Sequence, residues 1–135
     1  MDLDSALRLS AAGMQAQATR LRVVAENIAN RDSTGQSAGA DPYRRKTVTF
    51  GNRLDRSLGT EMVQVRRIGT APGDFPQVHD PSHPAADAQG YVKRPNVDGL
   101  VEMMDMREAQ RSYSANLAVL ETTRGMLTRT IEALR

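Results

Sequence analysis

Residues 3–30 read Leu3-Asp-Ser-Ala-Leu-Arg-Leu-Ser-Ala-Ala-Gly-Met-Gln-Ala-Gln-Ala-Thr-Arg-Leu-Arg-Val-Val-Ala-Glu-Asn-Ile-Ala-Asn30, and this stretch decides the fold class. Leu7, Ala11, Met14, Ala18, Leu21, Ala25 and Ile28 recur at alternating spacings of four and three, a heptad seam over three repeats. No proline interrupts it, and Arg20, Arg22 and Glu26 fall off the seam. Asp2 and Asp4 stand where a helix macrodipole favours negative charge. The spacing predicts one amphipathic helix, about 40 Å long at about 1.5 Å per residue. A helix of that length needs more cover than a short chain can supply.

A second helix is expected at the other end. Asn96 follows Pro95 and reads as an N-cap, with Asp98 and Glu102 in or near the first turn. Met103, Met106, Tyr113, Leu117, Leu120, Leu127, Ile131 and Leu134 then share a three-four repeat that Gln110 and Arg124 interrupt, and the helix runs to the end of the sequence. Val23, Val24, Val101, Met104, Val119 and Met126 form surplus apolar stripes. Apolar residues on more than one face ask for more than one neighbour, so these stripes are expected to meet other molecules. The two seams are free to pair parallel or antiparallel.

Between the helices the pattern changes. Residues 31–43 are rich in Asp, Ser, Gly and Ala and read as a loop. Thr47–Phe50 and Met62–Val65 read as two short strands, with Gly51-Asn52 and Gly59 supplying turn chemistry for a hairpin. Residues 69–95 hold five of the six prolines and are expected to be extended or irregular, wrapping a surface or ordering against a partner. The chain thus divides into an N-terminal helix (1–31), a loop and hairpin middle segment with a proline-rich stretch (32–95), and a C-terminal helix (96–135). The fold class is mainly α, with the terminal helices forming a coiled-coil-like layer.

Composition narrows the function. One domain is the natural capacity of 135 residues. Aromatics are only 4%, with no Trp, so the apolar content is Leu, Val, Met and Ala concentrated at the ends, which suits helix seams. Eighteen basic against sixteen acidic residues give +2, too near balance for a nucleic-acid field. The basic clusters Arg44-Arg45-Lys46 and Arg66-Arg67 read as a solvated loop and a strand face. Without cysteine there is no disulfide, thiolate nucleophile or Cys-based zinc site. No secretory signal pattern precedes the first helix, and no apolar run is long enough to span a bilayer.

Catalytic motifs are missing as well: there is no phosphate-cradling glycine loop and no nucleophile elbow. The one cluster with the right residue types is His79-Asp80-Pro81-Ser82-His83-Pro84 with Asp87. Paired ligands need a rigid helix at this spacing, and the prolines forbid one. The reading is therefore not an enzyme, with no catalytic, cofactor or metal site and no small-molecule substrate; a zinc hydrolase on this segment is the rival to exclude. Asn27 and Asn30, taken alone, read as residues that end the first helix.

Several blocks together carry a resemblance. Ser10–Gln17, Leu21 and Ala25-Glu26-Asn27-Ile28-Ala29-Asn30 are similar to the N-terminal signature of flagellar rod, hook and axial proteins. Ser33-Thr34-Gly35 is followed by extra residues before Pro42-Tyr43-Arg44-Arg45-Lys46, which points to the proximal-rod branch. Asp80–Pro84 with Asp87, Gly90–Val97, Glu102-Met103 and Arg111–Asn116 resemble the same branch in order; His79, where that branch often has Tyr, departs from it. The chain resembles the flagellar basal-body rod protein family along nearly its whole length. The resemblance implies a structural subunit of the proximal rod, a drive shaft crossing the periplasm. It implies terminal helices packed against other rod proteins and copies of itself, and export by the flagellar type III apparatus without a cleaved signal peptide. The expected assembly residues are Leu7, Met14, Leu21, Ile28, Tyr113, Leu117, Leu120, Leu127 and Ile131 as seam positions, with Asn27, Asn30 and Asn116 as polar contacts fixing register. A soluble helical adaptor receiving one partner is the alternative.

Overall fold

The computed structural model describes residues 2–135 and consists of two long helices with small antiparallel sheets between them. In chain order the elements are α1 (Leu3–Ala29), β1 (Lys46–Asp55), β2 (Thr60–Thr70), β3 (Gln77–His79), β4 (Tyr91–Lys93) and α2 (Gly99–Ala133). Asp2 caps α1 by accepting from Ser5 N–H at 2.8 Å, and hydrogen bonding by Ser5 holds the Asp2 carboxyl below its ordinary range. At the other end Asn30 closes the helix through its side chain, donating from Nδ2 to the Glu26 carbonyl at 2.9 Å.

The hairpin is longer than the sequence predicts. β1 and β2 are hydrogen-bonded neighbours, and the short connection at 56–59 makes them antiparallel. Gly51 and Asn52 lie inside β1 and supply no turn. Gly51 instead allows a close approach: a Cβ there would stand 3.2 Å from Cδ of Arg66. Asp55 shapes the turn by accepting from Ser57 N–H (2.9 Å), the Ser57 hydroxyl (2.6 Å) and Leu58 N–H (3.4 Å). These bonds, led by the Ser57 hydroxyl, lower its pKa. Gly59 completes the turn at φ 62°.

The proline-rich stretch also differs from expectation, because it contains regular structure. β3 and β4 pair antiparallel with Gln77 opposite Lys93, Val78 opposite Val92 and His79 opposite Tyr91. Pro76 and Pro81 bracket β3 and keep it short, since proline donates no ladder bond. Asp87 orders the return by accepting from Gln89 N–H and Tyr91 N–H, each at 2.9 Å.

The start of α2 needs a further correction. Asp98, and not Asn96, is the N-cap, accepting from Leu100 N–H at 3.0 Å and Val101 N–H at 3.4 Å. Asn96 ties the loop instead, accepting from Arg45 N–H at 2.8 Å and donating to the Ala71 carbonyl.

The chain forms two compact units, each with its own interior. The first comprises 1–21, 48–67 and 107–135, with Ala16, Met62 and Ala109 buried. The second comprises 22–47 and 68–106, with Val23, Val24, Ala85 and Val92 buried. Val23 and Val24, whose stripe the sequence assigns to other molecules, are instead interior. They share a helix face with Asn27, whose side chain is bound to the backbone of Lys46, so that face turns inward. Val101, Met104, Val119 and Met126 do remain exposed. Along α2 the fully buried positions are Glu102, Ala109 and Thr123, one residue earlier than the interrupted line Met103, Gln110, Leu117 and Arg124. One residue is about 100° of helix rotation. The inward face therefore alternates the buried Glu102, Ala109 and Thr123 with the half-buried Met106, Tyr113 and Leu120, while Met103, Met104, Leu117 and Ile131 are left outside.

Candidate assembly surface and its polar hub

The second unit is organised around two buried polar side chains. Asn27 is 1% exposed and Glu102 is 0% exposed. Asn27 Oδ1 accepts from Lys46 N–H at 2.9 Å and from the Tyr43 hydroxyl at 2.7 Å. Its Nδ2 donates to the Lys46 carbonyl at 2.9 Å and to Glu102 Oε2 at 3.3 Å. The primary amide thus uses both donors and both acceptor sites, a complete use of what Asn offers. Arg45 Nε donates to the other carboxylate oxygen of Glu102, closing an Asn–Glu–Arg chain. A carboxylate buried this deeply needs such partners, because removing an unpaired charge from water is costly.

Neighbouring side chains complete the hub. Lys46 Nζ donates to Glu26 Oε2 at 2.8 Å; that bond lowers the Glu26 pKa and raises the Lys46 pKa. Burial, ahead of the surrounding charges, raises the Tyr43 phenol. Arg44 lies 4.3 Å over the Phe75 ring and donates to the carbonyls of Ala71 (3.0 Å) and Gly73 (2.8 Å). Arg44-Arg45-Lys46 is therefore no solvated loop, since each cation has a specific partner. Arg31 lies close to Gly99 while Asn27 meets Glu102, so the end of α1 runs antiparallel to the start of α2 in this unit.

The expected assembly residues fall into three environments. Leu7, Met14, Leu21 and Ile28 on α1, and Tyr113 and Leu120 on α2, are half-buried. Leu117, Leu127 and Ile131 are exposed, Ile131 at 52%. The three asparagines differ. Asn27 is interior, Asn30 is half-buried at the helix end, and Asn116 donates to the Ser112 carbonyl at 3.0 Å. In the first unit Asn116 sits against Gly13, where a Cβ would be 2.8 Å from Asn116 Nδ2. Sequence reading missed Tyr43, Arg45, Lys46 and Glu102 as members of a site. The signal available was a glutamate among apolar residues in the first turn of α2, which asks for a cationic partner.

His79 and His83 are occupied by local structure. The His79 ring meets Tyr91 edge-on at 5.0 Å, and His83 Nδ1 accepts from Ala85 N–H at 3.0 Å. Among the described residues no three His, Asp or Glu side chains are grouped to hold a metal ion, and no helix is long and apolar enough to cross a membrane.

Two long helices with outward apolar rows, a buried polar hub and a small sheeted middle describe a subunit made to be packed among others. Residues 7–35 match the family profile described as Flagella basal body rod protein, and residues 88–133 match Flagellar basal body rod FlgEFG protein C-terminal. The chain is 54% identical to the flagellar basal-body rod protein FlgC of Agrobacterium fabrum over 133 residues, covering 98% of this chain and 96% of that one. It is 38% identical to FlgC of Bacillus subtilis over 141 residues, covering 93% and 94%. With FlgC of Salmonella typhimurium the identity is 39% over 125 residues, covering 91% of each. The chain belongs to the flagellar basal-body rod protein family and is FlgC-like within it. It is a structural subunit of the rod in the flagellar basal body, and its family is not one of enzymes.

Proposed function

We propose that the subunit joins the rod through its terminal segments, 1–31 and 96–135, packed as a coiled-coil-like layer against copies of itself and other rod proteins. The middle segment, 32–95, makes the outer contacts. The observation that carries this reading is the exposed row Leu117, Leu127 and Ile131 on α2, with Val119 and Met126 exposed on a further face. Such a row has no cover within the chain, and a helical lattice of heterologous contacts buries it without closing into a ring. Leu7, Met14, Leu21, Ile28, Tyr113 and Leu120 extend the surface from half-buried positions. Asn30 and Asn116 set register, and Asn27 acts from within by holding α1 to the hub. Torque passes through interlocked seams with no chemical step.

The subunit reaches its place across the periplasm through the flagellar type III export apparatus, without a cleaved signal peptide. Its hub suits that route, because its partners lie far apart in sequence and join only when the chain folds. Leu127→Asp or Ile131→Asp, at exposed positions, leaves the isolated fold intact and abolishes rod incorporation and motility. Leu21→Asp and Leu120→Asp, at half-buried seam positions, also abolish rod assembly and motility. A motile strain carrying either exposed-site variant would refute the surface. Hydrogen exchange separates the alternative, a self-sufficient helical adaptor: on entering basal bodies a rod subunit gains protection over 3–30 and 97–134 beyond that of the isolated chain, and an adaptor gains none.

A further inference from the structure

The first unit contains a groove that its own chain leaves unfilled. Ala12, Gln15, Ala16 and Thr19 of α1 form one wall, Met62 to Val65 of β2 the other, and Arg53 of β1 borders it. Its volume is about 260 Å³, below the roughly 300–1,000 Å³ usual for small-molecule sites, and its walls fit one or two apolar side chains. Arg53, Arg56, Arg66 and Arg67 on the same hairpin are all exposed, and among the described residues none of the four makes an ion pair.

The second unit carries the complement. The first two turns of α2 expose Leu100 (69%), Val101, Met103 and Met104 (64%), beside the exposed carboxylate of Asp98. The charges divide in the same sense. Eleven basic and seven acidic residues give the first unit +4, while seven basic and nine acidic residues give the second −2. A basic unit whose unfilled groove has mixed apolar and polar walls and an acidic unit with an uncovered apolar turn fit one another in different molecules. Opposite patches favour encounter and fix orientation, while the buried apolar side chains supply the holding energy.

We infer that the 98–105 turn of one copy docks, through Leu100 and Met104, into the Ala12–Val65 groove of a second copy of this chain. The contact is heterologous, so each copy offers one turn and one groove, and repetition extends along an open lattice. Met suits such a knob because its side chain adapts to an irregular groove. This inference rests on the rod reading and names one of the contacts within it.

The chain has no cysteine, so introduced thiols report without background. Two single variants, Gln64→Cys and Met104→Cys, are co-expressed in flagellated cells, basal bodies are isolated, and the rods are mildly oxidised. Because each chain carries one thiol, a Gln64–Met104 link joins different copies and appears as a band at twice the 14.8 kDa chain. Thr19→Cys replaces Gln64→Cys as a second groove probe, and Asp41→Cys replaces Met104→Cys as a control away from the turn. The expected result is a dimer with either groove probe and Met104→Cys, and at least tenfold less with Asp41→Cys. Motile cells whose rods contain both variants but yield no dimer, or equal dimer with the control, overturn the contact and leave the rod reading standing. Absence of the unsubstituted chain from purified rods overturns both.

Discussion

Asn27 and Glu102 stand 75 positions apart in the chain and meet side chain to side chain at 3.3 Å, both sealed from solvent. Their contact joins the last turns of α1 to the first turn of α2, with the Tyr43–Lys46 segment held by the same two groups. A buried polar network of this kind is specific in a way an apolar seam is not, because only one register satisfies every donor and acceptor.

Removing one member should therefore cost more than trimming an apolar residue nearby. Glu102→Ala leaves Arg45 and the Asn27 amide short of an acceptor, and breaking a buried pair this way costs about 3–5 kcal/mol. Urea unfolding of the purified chain, followed by loss of protection at the 43–46 amides, measures it. Asn27→Leu is expected to show comparable loss, since it strands the Lys46 N–H and carbonyl. Stability within 1 kcal/mol of the parent in both variants would show that the hub is not holding the unit.

Gly13 and Asn116 make a separable pair. Gly13→Ala gains about 1 kcal/mol of helix propensity but drives a methyl into the Asn116 amide, which must leave its bond to Ser112. The double variant Gly13→Ala/Asn116→Ala keeps the gain and removes the collision. A double-mutant cycle should show coupling of at least about 0.5 kcal/mol, the double variant being more stable than additivity predicts. Strict additivity would mean that the helices do not approach as closely as described.

Acid should weaken the Glu26–Lys46 link. The hydrogen bond from Lys46 lowers the Glu26 pKa in the folded chain, so its contribution is present above the ordinary glutamate value of 4.5 and disappears as pH falls through the lower folded value. The stability difference between the parent and Lys46→Met is accordingly expected to shrink between pH 6 and pH 3. Both side chains are partly exposed, so the effect is small and should fade in 1 M salt. An NMR titration placing Glu26 at or above the ordinary value would contradict the sign.

Asn96 and Asp98, both just before α2, give the sharpest contrast. Asp98→Ala removes an N-cap and should cost about 1 kcal/mol while fraying the first turn, where Leu100 resides. Asn96→Ala leaves the helix start intact and loosens the loop at Arg45 and Ala71. Amide exchange at 100–102 against exchange at Arg45 distinguishes the two, and equal fraying of α2 in both would restore Asn96 as the cap.

Sequence alone determined the two helices, because heptad spacing and the absence of internal proline are local properties that need no partner to be read. The family blocks were legible for the same reason: order and spacing survive in one dimension. The hairpin was legible as a pair of strands, but its turn was misplaced, since Gly51 serves the approach of Arg66 from the opposite strand. Tertiary structure decided which helix face turns inward. A three-four repeat of apolar residues admits adjacent phases, and the phase was settled by polar bonds between distant residues: Asn27 to Lys46 and Glu102, and Arg45 to Glu102. Those bonds turn Val23 and Val24 inside; Leu117, Leu127 and Ile131, further along α2, stay outside. Periodicity can show that an apolar stripe exists, but only the pairing of buried polar groups determines whether it serves the chain's own interior or its neighbours.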